Sequence, residues 1–311
     1  MTQNLNLPNP SNDQEYDQID FRGEPFLQAA VRICELEGIV MDNVKTFKTG
    51  SSPVFEVSDQ HIIKMYAPLN IKHFETEVNA LRFLQQSEFR YGPAVRAFGA
   101  VAGWSYIVMQ RVSGQSLTEV WEHLSPRDKM NLMLELGKIV KDMHGLPVKV
   151  WANESAPWSE FINQQRQNVM NRHTRLGLVD HFLNEIPNFL ESTEFKNQQR
   201  ESFLHTELMR DHVFVSMVDG QWKISGLIDF EPSMIGDPEY DFASVGVFVC
   251  MGEPSLFLSF LSGYCADLQD QNRPYRVMAY AILHRYSNLK WYLKLLPNGD
   301  DLQDLARKWF T

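Results

Sequence analysis

Cysteine is scarce in this chain of 311 residues: Cys34, Cys250 and Cys265 stand far apart, odd in number and without metal-ligand spacing. That points away from a disulfide framework or a cysteine-held metal and towards free thiols in a reducing cytoplasm. Long apolar runs are also missing. The longest candidate, residues 243–251, falls far short of the roughly 20 residues that a membrane span requires. The N-terminus has no basic segment followed by an apolar run, so no secretory leader is read there. Basic residues are in deficit, 29 Lys and Arg against 39 Asp and Glu, for a formal charge of -10. Nucleic acid is therefore not expected as a partner, since phosphate backbones reward clustered Lys and Arg. Several catalytic signatures do not occur. No Gly-x-x-x-x-Gly-Lys-Ser/Thr run cradles phosphates, and no Gly-rich first turn opens a pattern of alternating strands and helices. No Gly-x-Ser-x-Gly elbow exposes a nucleophile, and the nine His form no His-Glu-x-x-His pair.

What is present is a globular chain, 44% hydrophobic and 22% charged, with a change of texture along its length. Residues 1–20 are rich in Asn, Gln, Asp and Pro and read as a mobile tail. Apolar residues at helical spacing predict a helix over 26–36, stopped by Gly38. Short β-branched and aromatic runs at 44–47, Val54–Val57 and His61–Tyr66 predict an antiparallel meander, turning at Thr49-Gly50-Ser51-Ser52-Pro53 and at Ser58-Asp59. A helix over Ile71–Gln86 and a hairpin of 95–100 with 104–111 follow. Beyond Ser113-Gly114 the pattern turns helical, with helices expected over 129–143, 158–171, 179–190, 256–268 and 275–296. One hairpin, Val213–Val218 with 222–229, turns at Asp219-Gly220.

The segment Leu204-His205-Thr206-Glu207-Leu208-Met209-Arg210-Asp211-His212, followed by that hairpin and by Leu227-Ile228-Asp229-Phe230, carries the most chemistry. It is an acid- and His-rich loop, then two strands, then Asp at a strand end. Phosphoryl transfer requires a carboxylate to orient a hydroxyl and further ligands to hold a cation against phosphates. The segment resembles the catalytic loop of the aminoglycoside phosphotransferase and choline-kinase-like families, in which His-Gly-Asp is followed five residues later by Asn. Downstream, Gly236-Asp237-Pro238 and Asp241-Phe242-Ala243 resemble the family's Gly-Asp-Pro and Asp-Leu-Ala; upstream, Val108 to Gly114 resembles the hinge between lobes. The likeness runs in order from Val44 to Ala243. It implies an α+β, bilobal protein-kinase-like fold. Residues 21–112 would form a nucleotide-binding lobe, a small antiparallel sheet with one main helix. Residues 113–311 would form a larger, mostly helical lobe with the catalytic loop and acceptor site.

The resemblance also implies roles. Lys64 would contact the α- and β-phosphates, with Glu77 as its helix partner and Glu75 as the rival. Ser51 and Ser52 stand where a glycine-rich loop would meet phosphate, and the backbones of Gln110 and Val112 would meet a purine edge. Glu207 takes the place of the catalytic Asp, His212 that of the metal-binding Asn, and Asp229 matches the metal-binding Asp. Asp237, Asp241 and His205 are read as loop supports, and Arg210 as a surface ion pair. The expected cofactor is ATP or GTP with Mg²⁺, with Mn²⁺ possible through the imidazole. The expected partner is a small-molecule hydroxyl acceptor, with no nucleic acid and no membrane, in a cytoplasmic monomer or homodimer. The extra methylene of Glu207 moves the carboxylate by about an ångström, and a shift of that size can cost on the order of 10²-fold in rate. Two readings follow: an active phosphotransferase with an alcohol group as acceptor, or a catalytically impaired kinase-fold protein acting as a nucleotide-binding or regulatory module. A protein kinase proper lacks its His-Arg-Asp loop and Ala-Pro-Glu segment here. The acceptor would meet residues 151–175 and the C-terminal helices, among them Trp158, Gln165, His173, Arg175, His284, Arg285 and Trp291. That set is less acidic than a site built only for polycationic aminoglycosides.

Overall fold

The computed structural model of the chain describes residues 5–47, 50–151, 157–195 and 201–311. Thr49, in one expected turn, lies outside them. The chain divides into two units, Met1–Ser113 with Gly226–Pro232, and Gly114–Ser225 with Ser233–Thr311. The short segment that carries Asp229 thus belongs to the first unit, where an uninterrupted 113–311 was expected. Its attachment is physical. The Leu227 amide donates to the Tyr91 carbonyl at 2.7 Å. Gly226 lies so close to Val112 that a Cβ there would come within 2.7 Å of its side chain.

The first unit opens with α1 (Asp13–Tyr16) and α2 (Glu24–Leu36), followed by β1 (Val44–Thr46), β2 (Val54–Val57) and β3 (His61–Tyr66). Then come α3 (Ile71–Gln86), β4 (Val95–Val101) and β5 (Trp104–Gln110). The strands form one sheet in the order β1-β2-β3-β5-β4, antiparallel throughout. Strand alternation sends Ile63 and Met65 into a core with Phe55, Val57, Val108 and the Ala29, Ala30 and Ile33 face of α2. Lys64 and Tyr66 alternate with them. The expected mobile tail is corrected for the described residues from Leu5 onward. Leu7 and Tyr16 are buried, the Trp104 indole donates to the Pro8 carbonyl at 2.7 Å, and Tyr16 stacks on Trp104 at 6.3 Å. A polar composition hid two apolar anchors.

The second unit begins with β6 (Gln115–Ser116), α4 (Leu117–Val120) and α5 (Pro126–His144), which starts earlier than its apolar period because the Ser125 side chain caps it. It continues with α6 (Trp158–Arg175), α7 (Asp180–Ser192), β7 (Ser202–Leu204), β8 (Val213–Val218), β9 (Gln221–Leu227) and β10 (Met234–Gly236). The last elements are α8 (Pro238–Ser244), a π-helical turn (Val245–Val249), α9 (Pro254–Tyr264), α10 (Arg273–Leu283), α11 (Leu289–Leu295) and α12 (Leu302–Phe310). Gly137 of α5 and Gly263 of α9 allow the two helices to touch backbone to backbone: a Cβ at either would lie about 2 Å from a carbonyl oxygen of the other.

Two expected helices are shorter than their periodicity. The one over 256–268 ends at Tyr264, where Cys265 turns left-handed at φ 58 and caps it. The one over 275–296 breaks into α10 and α11. His284 leaves the helix to reach the Thr206 carbonyl at 2.7 Å, and the Asn288 side chain then caps α11. α12, not anticipated, buries Leu305, Trp309 and Phe310. All three cysteines are free, and among the described residues no helix is long and apolar enough to cross a membrane.

Candidate active site

In the first unit the site is a cluster of charges. Lys64 is only 9% exposed. Its ammonium lies 2.8 Å from Glu77, 2.7 Å from Asp229 and 3.2 Å from Glu231. Of the two acids weighed on α3, Glu77 is buried on the apolar face and Glu75 is exposed. Burial works against the Lys64 charge, yet Glu77, Tyr66, Asp229 and Glu231 together hold its pKa well above the ordinary value. Burial raises the Glu77 carboxyl, opposed by Lys64. Tyr66 donates its hydroxyl to Glu77, and His73 meets Glu231 at 3.1 Å. Against burial, the His73 contact and Lys64 pull the Glu231 pKa below its usual value. Asp229 sits in the left-handed region, φ 68, with its side chain 31% exposed. Such a conformation in a non-glycine residue is maintained only where the surroundings enforce it.

Ser51 is exposed, Ser52 half-buried, and Gly50 adopts φ 123 beside them. The turn is tied down from the N-terminal segment, because the Tyr16 hydroxyl donates to the Ser51 carbonyl at 2.7 Å. The Gln110 amide is committed to the Ala94 carbonyl at 2.8 Å. A purine contact from Gln110 would therefore use its carbonyl. Val112 is half-buried and packs over Gly226.

In the second unit β7 delivers a loop that Asp241 organises. Its two carboxylate oxygens accept the amides of His205 at 3.0 Å and Thr206 at 2.7 Å, and His144 Nε2 lies 3.0 Å from the same group. Thr206 occupies the glycine position of the family pattern and adopts φ 68, a strained state for a β-branched residue. It is held there by Asp241 on its amide and His284 on its carbonyl. The Glu207 amide donates to His205 Nδ1 at 3.3 Å. His212 Nδ1 lies 2.8 Å from the Glu207 carbonyl and donates to it. The Arg210 guanidinium lies 3.6 Å above the Trp121 ring and donates to the Val249 carbonyl at 2.8 Å. Burial lowers its pKa to about 10. Among the described residues it makes no salt bridge, which corrects the expected surface ion pair.

The donors suit a divalent cation. Oxygens of Glu77, Asp229 and Glu231 lie within 4.8 Å of one another, and three carboxylates face one ammonium, an excess of negative charge.

Residues 43–279 match the profile of the phosphotransferase enzyme family. The chain belongs to that family. Among solved structures, this phosphotransferase is similar to the GDP complex of wild-type aminoglycoside 2′-phosphotransferase-IIIa, at TM-score 0.71 and 16% identity over 90% of this chain and 98% of that one. It is also similar to the streptomycin–ATP–APH(2″)-IIa ternary complex, at TM-score 0.61 and 14% identity over 91% and 98%. Its fold is accordingly the protein-kinase-like α+β fold of those enzymes. A curated relative, the lysine-specific demethylase JMJ21 of Arabidopsis thaliana, is 24% identical over 253 residues, 62% of this chain and 27% of the relative. The chain thus spans about a quarter of that protein's length.

Sequence reasoning missed three residues that the phosphotransferase places at these sites: Glu231, Tyr66 and Tyr16. Glu231 was within reach, since it follows Asp229 by only two positions in the same short segment. Tyr66 shares that relation with Lys64. Tyr16 carried no local signal. Of the expected acceptor residues, Trp151, Gln165, His173 and His284 are buried, whereas Trp291 is 43% exposed.

Proposed function

We propose that this phosphotransferase moves the γ-phosphate of ATP or GTP to a hydroxyl of a small molecule, an aminoglycoside or another natural product or metabolite, in the cytoplasm. The observation that carries the proposal is the Lys64–Glu77–Asp229 ion cluster, a buried cation held by acids from α3 and from the segment after β9. Lys64 would leave some of these partners for the α- and β-phosphates while Glu77 keeps it oriented. A divalent cation bound with the nucleotide, held by Asp229 and His212, would supply charge neutralisation at the phosphate oxygens. Glu207 orients the acceptor hydroxyl and takes its proton. The acceptor oxygen bonds to the γ-phosphorus, the bond from that phosphorus to the bridging oxygen breaks, and the products are a phosphate monoester and the nucleoside diphosphate. Nucleotides and streptomycin bound in similar structures support the substrate class.

The substitution of Glu207 and Thr206 into an Asp and a Gly position favours a second reading, a nucleotide-binding module without turnover. Transfer of labelled γ-phosphate to a panel of hydroxyl acceptors separates the two. Turnover lost in Asp229→Asn and cut about 10²-fold or more in Glu207→Gln supports phosphotransfer. Near-normal turnover in Asp229→Asn would sink the mechanism. Nucleotide binding with no transfer to any acceptor would favour the module.

A further inference from the structure

Four arginines surround α10 and its C-terminal end, and they are satisfied unequally. Arg276 pairs with Glu239 at 2.7 Å and with Asp270 at 2.7 Å, and Arg273 approaches the same two acids. Arg285 and Arg172 have no such partners. The Arg285 guanidinium reaches the thioether of Met234 at 3.0 Å, the face of Phe161 at 5.2 Å and the Tyr240 hydroxyl, none of them a carboxylate. Its Nε is buried without any hydrogen-bond partner. Arg172 donates to the His284 carbonyl at 2.5 Å and to the Gln165 amide oxygen. Among the described residues neither forms a salt bridge, although both are half-buried.

Neighbouring carboxylates are already committed. Asp237 accepts from Tyr280 at 2.5 Å and from the Glu239 amide at 2.9 Å. Asp241 holds the catalytic loop, and Glu239 holds Arg276. His284, between the two arginines' contacts, is kept neutral by burial, with its pKa lowered to about 4. Ser233, which precedes Met234 in the chain, is 5% exposed and its buried hydroxyl has no hydrogen-bond partner. Buried donors and half-buried cations left in this state are costly unless something else satisfies them.

We infer that this corner of the second unit, built from α6, β10 and the α10–α11 turn, binds an oxyanion. On the phosphotransfer reading above, on which this last step rests, that oxyanion is a group of the acceptor. A half-buried guanidinium fork without a carboxylate partner matches a carboxylate or phosphate in two parallel hydrogen bonds. The His284 contact with the Thr206 carbonyl ties the corner to the residue that precedes Glu207. An acceptor anchored here carries negative charge. A polycationic one meets two unneutralised guanidinium groups.

Thermal shift at constant ionic strength tests this with gluconate as a hydroxy-carboxylate probe, glucose phosphate as a phosphate-ester probe, and glucose and streptomycin as neutral and cationic controls. The expected result is a rise of a few degrees, roughly 2–4 °C, with gluconate or glucose phosphate and none with glucose or streptomycin. Whichever probe acts identifies the anion's chemistry. In Arg285→Met the ligand-free melting temperature is unchanged or higher, because no ion pair is lost, and the apparent affinity for the active probe falls by about tenfold or more. Arg285→Lys keeps the charge without the fork and falls between. The inference is overturned if neither anion raises the melting temperature above glucose, if Arg285→Met keeps the shift, or if Arg285→Met alone melts several degrees lower. ATP with Mg²⁺ is run beside each protein. Its failure to shift counts against phosphotransfer and leaves the oxyanion result to stand or fall separately.

Discussion

Lys64 in the first unit and Asp241 in the second are both buried charges, 9% and 0% exposed, and they are neutralised by different means. Lys64 is held by other side-chain charges, three carboxylates from two stretches of chain. Asp241 is held by backbone amides of the loop it supports and by one imidazole. A charge held by mobile side-chain ions can exchange partners when a polyanion and its cation arrive. A charge held by two backbone amides fixes a chain path, here the left-handed turn at Thr206, and cannot let go without losing that turn. One region is built to respond and the other to stay put, which is the division of labour that positioning and electrostatic catalysis of phosphoryl transfer require.

Breaking the fixed side gives the largest effect. Asp241→Ala leaves two buried amides and His144 without their acceptor and should cost about 3–5 kcal/mol, read as a large drop in melting temperature. A loss below about 1 kcal/mol would mean that the loop finds its path without Asp241. Next comes pH. Burial depresses the His284 pKa from 6.5 to about 4, so the unfolded chain binds a proton that the folded one refuses. The stability is present above the unfolded value and is lost as pH falls through that window, by roughly 3 kcal/mol for this group. Asp237, raised to about 6 by burial, works the other way across part of it. The comparison is therefore between wild type and His284→Gln, whose melting temperature should fall less between pH values of about 6.5 and 4. An equal fall in both would assign the acid sensitivity elsewhere. The smallest effect sharpens the strain argument. Thr206→Gly removes a left-handed β-branched residue and adds backbone entropy to the unfolded state, for a net gain of about 1 kcal/mol. A clear loss would show that the Thr206 side chain contributes packing that outweighs its backbone strain.

The same contrast explains what could be read in advance. Lys64, Asp229 and Asp241 were legible because each sits in a short ordered motif at a strand end, a strand interior or a helix start. The strands were legible because β-branched runs and Asp-Gly turns are local signals. Features made by long-range contacts were not. The break at His284 depends on the Thr206 carbonyl, 78 residues away in sequence. The ordering of residues 5–20 depends on Leu7 and Tyr16 finding the β5 side of the first unit's core. Arg210 looked like a surface cation because nothing local announces Trp121 beneath it.

The most direct test of the central claim is calorimetric titration of ATP and GTP, with and without Mg²⁺, into wild type, Lys64→Met and Asp229→Asn. The account predicts binding of at least one nucleotide that strengthens with Mg²⁺ in the wild type, weakens in Lys64→Met and loses its Mg²⁺ dependence in Asp229→Asn. Binding of neither nucleotide by a folded wild-type protein at millimolar concentration would contradict it.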